Sequence, residues 1–256
     1  MKRWVASRGV GSGILAGLPK PREWRETLAK SAKPKHIAII PDGNRRWAKK
    51  NRKSIPYAYN KGIEHIGDVL RWCRRHRIKK LTMWGFSTEN FMRDRDEVKN
   101  LFGLFNQKLS EGLKEDYKKY GVCVHFRGQL SSLPKDIVEK MRKVEKDTAK
   151  NGKYELNLML AYGGRQELLD AVNAAIARRL HKVDEKAFSK LLYTEGGQDP
   201  DLVIRTSGEM RTSGFLPWQS AYSEYYFSKK LWPDFGAADF RRALSEFARR
   251  RRKYGK

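Results

Sequence analysis

Beyond residue 35, short and largely continuous apolar runs alternate with longer amphipathic stretches, and this alternation constrains the fold more than any other feature of the chain. The runs are Ile37 to Ile40, Leu81 to Phe86, Val122 to Phe126, Tyr154 to Ala161 and Leu202 to Ile204. Unbroken apolar character over four to eight residues is the pattern of strands covered on both faces. Helical spacing of apolar residues predicts helices over Tyr59 to Arg77, Arg93 to Lys119, Pro134 to Lys150 and Arg165 to His181. Strands separated by helices form βαβ units, so the predicted fold is α/β: a single domain with a central, mostly parallel sheet flanked by helices. Residues 1–30 read as a basic N-terminal extension with a short helix near Glu23 to Lys30, and residues 31–256 as the domain itself.

The polar residues that fit no structural role follow the strands. Asp42, Gly43 and Asn44 come after the first; Ser87, Glu89 and Asn90 after the second; Tyr162, Gly163, Gly164 and Arg165 after the fourth; Arg205, Thr206, Ser207, Gly208 and Glu209 after the fifth. In a parallel sheet the carboxyl ends lie along one edge, where ligands bind. Four loops are therefore expected to converge on one cleft.

That cleft collects Arg45, Arg46, Arg93, Arg165, Arg205 and Arg211 together with Ser207 and Ser213. Guanidinium forks and hydroxyls beside glycine-rich turns make a phosphate site, with room for more than one phosphate group. Asp42 and Glu224 are the carboxylates able to hold Mg²⁺, because a hard cation is usually bound by one or two carboxylates plus substrate phosphates. Taken singly, each feature also has a plain structural reading. Asp-Gly-Asn is a common turn, Tyr-Gly-Gly can start a helix, and Glu224 sits among Tyr222, Tyr225, Tyr226 and Phe227 as a solvent charge beside a core stripe would.

Composition narrows the classes. With 55 Lys and Arg against 29 Asp and Glu, the formal net charge is +26, which calls for an anionic neighbour: nucleic acid, an anionic membrane surface or phosphorylated small molecules. The two cysteines, Cys73 and Cys123, supply neither a disulfide framework nor metal-ligand spacing, and the five histidines are dispersed, which argues against zinc. No segment is long and apolar enough to span a bilayer. A Gly-x-Ser-x-Gly elbow and a phosphate-binding Gly-x-x-x-x-Gly-Lys-Ser loop are both absent. What remains is phosphate chemistry without a protein nucleophile, and departure of diphosphate suits it.

The stretches HIAIIPDGNRRWAKK, LTMWGFSTENFMR, LMLAYGGRQELLDAV and DLVIRTSGEMRTSGFLPWQSAYSEYYF, in this order, resemble the successive signature regions of the cis-prenyltransferases, the undecaprenyl and dehydrodolichyl diphosphate synthase family. The lead-in KPKHIAIIPDGNRRWA is most similar to archaeal-type members. The resemblance implies a Mg²⁺-dependent enzyme that condenses isopentenyl diphosphate with an allylic prenyl diphosphate into a Z-containing polyprenyl diphosphate, a glycosyl carrier lipid precursor. It further implies catalytic roles for Asp42 and Asn90, with Asp42 and Glu224 as metal ligands. Substrate contacts are implied for Gly43, Asn44, Arg45, Arg46, Trp47, Ser87, Thr88, Glu89, Phe91, Arg93, Arg205, Arg211 and Ser213. Trp47 also reads as a packing residue of the following turn. A cytoplasmic homodimer with peripheral contact to an anionic membrane is the implied setting, and no nucleic-acid partner is expected.

The sequence departs from the family pattern in the segment NRKSIPYAYNKG, where many members carry an arginine and then a histidine and this chain has Ile55 and Tyr59. Met210 likewise replaces a histidine of the bacterial enzymes. These changes leave open an irregular condensation of allylic diphosphates, or prenylation of another acceptor, on the same fold. A non-catalytic partner subunit is the third reading, although Asp42, Arg205 and Arg211 are retained; a nucleic-acid-binding protein is the fourth. Phe102, Phe105 and Leu109 recur on one face of the predicted helix over Arg93 to Lys119, as either a tunnel lining or ordinary core would.

Overall fold

The computed structural model describes residues 33–111, 117 and 120–250. The expected basic extension with its helix near Glu23 to Lys30, and the last residues of the basic C-terminal tail, lie outside that range.

Six strands form one sheet: β1 (His36–Ile40), β2 (Lys80–Trp84), β3 (Val122–Arg127), β4 (Tyr154–Met159), β5 (Leu202–Arg205) and β6 (Glu224–Phe227), in the spatial order β3-β4-β2-β1-β5-β6. Every pair of neighbours is parallel. Seven α-helices are present among the described residues: α1 (Asn44–Lys50), α2 (Ile55–Arg75), α3 (Arg95–Glu111), α4 (Lys135–Thr148), α5 (Gly164–Ala177), α6 (Glu185–Leu191) and α7 (Ala237–Arg249).

The continuous apolar runs have the expected consequence. In β1, Ile37 and Ile39 face a core shared with α2, α3, α4 and α7, while Ala38 and Ile40 face a second cluster with Met159, Tyr162, Val203, Phe215 and Leu216. Both faces of the strand are covered, so all five residues of HIAII are buried. Helix α2 begins at a serine cap, Ser54, whose hydroxyl accepts from the Tyr57 backbone N–H, and Pro56 occupies the first turn, where its missing N–H costs nothing.

Two differences from the sequence reading stand out. Strand β6 was not expected; it is a four-residue edge strand, half-buried throughout, whose sequence EYYF reads as a charge beside a core stripe as readily as a strand. Helices α1, α6 and α7 were not expected either. The first, NRRWAKK, is basic on its surface and buries only Trp47 and Ala48, so it carries almost no apolar period. The described part of helix α3 runs to Glu111 and Tyr117 is again helical; the rest of the expected stretch to Lys119 lies outside the described residues.

Candidate active site at the carboxyl ends of the strands

The turn after β1 sets the site. Gly43 has φ +108°, a left-handed conformation that disfavours a side chain, and a Cβ there would come within 2.8 Å of Leu231 Cδ2. The backbone on either side is fixed: the Asp42 carbonyl accepts from Trp232 N at 3.0 Å and from Thr206 Oγ1 at 2.7 Å. Asp42 is thereby aimed across β1 toward the end of β5. Its Oδ2 accepts from Arg205 Nη2 at 2.9 Å and its Oδ1 from Arg46 Nη2 at 3.3 Å.

Arg205 is almost fully buried, with a side-chain exposure of 5%, and also donates to the Arg211 carbonyl at 2.6 Å and to Ser213 Oγ at 2.8 Å. Its Nε is a buried donor with no partner among the described residues. Arg46 donates to Ser207 Oγ at 2.6 Å and to Glu209 Oε1 at 3.0 Å. Partial burial of Asp42 favours its neutral form, but hydrogen bonds from Arg205 and Ser207 and the charges of Arg205 and Arg46 outweigh it and hold the carboxyl below its ordinary value. The carboxylate is thus ionised at neutral pH between two guanidinium groups.

This polar end opens into a cavity of about 470 Å³. Asp42, Asn44, Ser87, Asn90, Arg93, Arg205 and Ser213 line its mouth. Ile63, Ile66, Met83, Phe86, Leu101, Phe105, Leu109, Phe126, Met141, Leu158 and Leu160 line the interior, between the sheet and helices α2, α3 and α4. A second groove beside the mouth is lined by Gly43, Asn44, Arg45, Arg46, Lys49, Lys53, Ile55, Tyr59 and Arg93. Such an arrangement suits a ligand with an anionic head and a hydrocarbon tail.

A family model described as "Putative undecaprenyl diphosphate synthase" matches residues 40–255. The chain belongs to the undecaprenyl diphosphate synthase family. A tritrans,polycis-undecaprenyl-diphosphate synthase (geranylgeranyl-diphosphate specific) of Pyrococcus abyssi is 40% identical, the alignment covering 95% of this chain and 99% of that one. An isoprenyl transferase of Aquifex pyrophilus is 42% identical over 87% of this chain and 96% of its own. Among solved structures, lavandulyl diphosphate synthase from Lavandula x intermedia, in complex with dimethylallyl diphosphate, superimposes with a TM-score of 0.83 at 32% identity, covering 88% of this chain and 99% of that one.

Most residues that the family resemblance singled out do meet at this edge. Ser87 and Asn90 form a reciprocal cap on the 3₁₀ turn Thr88–Met92, the Ser87 N–H donating to Asn90 Oδ1 at 3.1 Å, so Asn90 has a structural partner as well as a face on the cavity. Glu89 lines the same mouth. Thr88 is turned toward Gly163, where a Cβ would meet its hydroxyl at 2.5 Å, and Phe91 packs edge-on against Phe86 at 4.9 Å. Arg93 donates to Tyr59 Oη at 2.7 Å and to Glu97 Oε1 at 3.3 Å, and Tyr59 donates to the same Glu97 oxygen at 2.8 Å. Burial of Tyr59 raises its pKa to about 12, so the phenol keeps its proton. Arg45 lies 3.8 Å from Glu97 on the exposed side, and Arg211 is exposed and paired with Glu209.

Two assignments need correcting within a single chain. Trp47 is buried behind the turn, its indole N–H donating to Asp234 at 2.7 Å and its ring stacked on Tyr57, so it supports the loop and does not line the cavity. Glu224 opens β6 at the amino-end edge, opposite Leu202, and pairs with Arg250 at 2.7 Å. Three residues of strand, about 10 Å, separate it from the level of Arg205. Asp42 and Glu224 of one chain therefore do not converge on one metal. Residues missed by sequence reasoning are Glu97, which organises Arg93 and Tyr59, and Glu167, a fully buried carboxylate that accepts from Tyr162 Oη at 2.6 Å, Gln219 Nε2 at 3.0 Å and Tyr193 N at 3.1 Å. Tyr162 Oη accepts in turn from Leu216 N at 3.1 Å, so this knot anchors the loop that carries Arg211 and Ser213. No sequence signal distinguishes either glutamate from a solvent-facing one on its helix.

Proposed function

We propose that the protein is a Mg²⁺-dependent cis-prenyltransferase that condenses isopentenyl diphosphate with an allylic prenyl diphosphate and yields a Z-containing polyprenyl diphosphate, a precursor of a glycosyl carrier lipid. The observation that carries this reading is the continuity of the Asp42, Arg46 and Arg205 cluster with an apolar cavity of about 470 Å³. Diphosphate heads sit among the guanidinium groups and the growing hydrocarbon lies against Phe105, Leu109 and Leu158.

In the reaction, the allylic carbon–oxygen bond breaks, the double bond of isopentenyl diphosphate attacks the freed carbon, and a proton leaves the new chain. Arg205, Ser213 and Arg211 grip isopentenyl diphosphate. The turn Gly43–Asn44 and Arg46 hold the allylic diphosphate and stabilise the charge that develops on it. Asn90 and Arg93, on the segment between β2 and α3, cover the reacting carbons and keep water from a cationic intermediate.

The donor set fits Mg²⁺. Asp42 is ionised and partly exposed at the mouth, and no group of three metal-binding side chains exists among the described residues. One carboxylate with substrate phosphate oxygens supplying the rest is how Mg²⁺ is commonly held. When bound, the ion would neutralise diphosphate charge as the leaving group departs.

Two further features support the expected setting. Leu169, Val172 and Ile176 on α5, with Leu180 just beyond it, form an exposed apolar stripe at helical spacing, suited to contact with a second copy of the chain. No helix among the described residues is long and apolar enough to cross a membrane, and the charge of +26 suits peripheral contact of a lipid-making enzyme with an anionic surface. A second reading, irregular joining of two allylic diphosphates, draws on Ile55, which places an apolar side chain in the groove with Arg46 and Lys53, and on the similarity to a lavandulyl diphosphate synthase. Release of inorganic diphosphate tests the two. The main reading expects release only when isopentenyl and allylic diphosphates are both present and its loss on chelation, whereas release from allylic diphosphate alone would favour the second.

A further inference from the structure

The cavity is too small for a long product. An apolar cavity of about 150 Å³ houses a six-carbon ring, roughly 25 Å³ per carbon, so 470 Å³ holds at most about 19 carbons, or four five-carbon units. A fifth unit has to leave the cavity somewhere. Among the described residues, the charged side chains that line it are Asp42, Glu89, Arg93 and Arg205 at the mouth, and one more, Lys108, set among apolar neighbours on α3. Lys108 lies eleven residues, about 16 Å, along α3 from Glu97 and so well away from the diphosphate end.

Its ammonium reaches outward to Glu64 Oε1 on α2 at 3.0 Å; the lysine side chain is 24% exposed and the glutamate 57%. The same Glu64 oxygen accepts from Asn60 Nδ2, also at 3.0 Å. The pair thus runs from the inner wall to solvent across the seam between α2 and α3. At the mouth end the same two helices are joined by the more buried Tyr59–Glu97 contact. One clasp is shielded and tied to Arg93; the other is half-exposed, and half-exposed ion pairs contribute little and open readily.

The geometry points to the Glu64–Lys108 pair as a latch on a side exit: once the hydrocarbon fills the cavity, its tail parts α2 from α3 at this pair while the mouth clasp keeps the diphosphate end assembled. This inference rests on the prenyl-elongation reading above. It makes Lys108 and Glu64 determinants of how far a chain can grow, without any contact with the reacting carbons.

The test locks the seam. In a Cys123→Ser background, Glu64→Cys and Lys108→Cys are joined by a short bis-maleimide, and products from labelled isopentenyl diphosphate are sized with a ten-carbon and a twenty-carbon allylic starter. The locked protein is expected to extend the ten-carbon starter to about twenty carbons and to lose at least tenfold of its incorporation with the twenty-carbon starter, while the uncross-linked double variant extends both. Lys108→Met, which unlatches the seam, is expected to shift the product distribution upward, and Glu64→Lys with Lys108→Glu to restore the original one. Long products from the locked protein would overturn the inference, as would loss of activity with the ten-carbon starter, since the seam would then serve the chemistry and not the tail. If the unmodified protein extends neither starter, it is the elongation reading that fails.

Discussion

Replacing Arg205 by methionine removes the donor that ties β5 to the turn after β1. The side chain makes three hydrogen bonds, to Asp42 Oδ2, the Arg211 carbonyl and Ser213 Oγ, from a nearly inaccessible position. Removing one partner of a buried ion pair costs about 3–5 kcal/mol, because the other charge is left desolvated. Asp42 is 29% exposed and keeps Arg46 at 3.3 Å, so the cost here is reduced to about 2–3 kcal/mol. Urea unfolding of the two proteins across pH measures it. A depressed folded-state pKa contributes stability above the unfolded carboxyl value, near pH 4, and that contribution is lost as pH falls through the folded value. The gap between wild type and variant should therefore be full at neutral pH and narrow below about pH 4. A gap unchanged down to pH 2 would show that the Asp42 charge is not what Arg205 stabilises, and would refute the account of the cleft. In kinetics the same change should raise KM for isopentenyl diphosphate about 10- to 100-fold, from loss of charge-assisted bonds of about 1.5–3 kcal/mol, with a smaller effect on the allylic substrate.

Asp42→Ala should lower kcat about 100-fold or more with little change in substrate dissociation constants, measured by single-turnover kinetics and equilibrium binding; near-normal turnover at saturating Mg²⁺ would remove its role. Glu167→Ala leaves the Tyr162 hydroxyl and the Tyr193 N–H without their acceptor and the Gln219 amide with Thr194 alone, and should cost about 3–5 kcal/mol in urea unfolding, against a much smaller loss for Glu167→Gln. Ile55→Arg adds a donor fork to the groove that already holds Arg46 and Lys53 and should tighten an allylic diphosphate analogue several-fold in calorimetry; a lower Tm with unchanged affinity would mean that Ile55 serves the Trp47 cluster it packs against. Ile176→Glu on the exposed stripe of α5 should shift the protein from dimer to monomer in analytical ultracentrifugation, and an unchanged sedimentation profile would place any self-contact elsewhere.

How much of this was legible in the sequence follows from where each signal arises. Four of the five apolar runs fall in strands covered on both faces, where burial wrote itself into consecutive residues, whereas β3, at the edge of the sheet, alternates between buried and half-buried positions. β6 escaped notice because its half-buried sequence EYYF reads as a charge beside a core stripe as readily as a strand. The convergence of Asp42, Arg46, Arg205 and Ser213 was readable from strand ends alone, since parallel topology forces those ends to one edge. Glu224 was misplaced for the converse reason: it starts a strand, and the start of a parallel strand lies at the opposite edge. Trp47, with its conspicuous neighbours Arg45 and Arg46, looked like part of the same cluster, but helical geometry turns it inward to Asp234. Glu97 and Glu167 each join a near neighbour, Arg93 and Tyr162 respectively, to a partner 38 or 52 residues away, Tyr59 or Gln219, and the distant half of each pairing has no local signature. Of the three aromatic and aliphatic residues on α3, Phe105 and Leu109 line the cavity, whereas Phe102 packs beside Phe86 and Phe91.

The proposed reaction joins isopentenyl units to an allylic starter with each new double bond in the Z configuration. The direct measurement is to incubate the purified protein with Mg²⁺, labelled isopentenyl diphosphate and a twenty-carbon allylic diphosphate, and to determine product length by mass spectrometry and double-bond geometry by NMR. Several successive additions are expected, each new double bond Z, on a starter that keeps its own geometry. Products with new E double bonds, a single branched product, or no incorporation at all would contradict it.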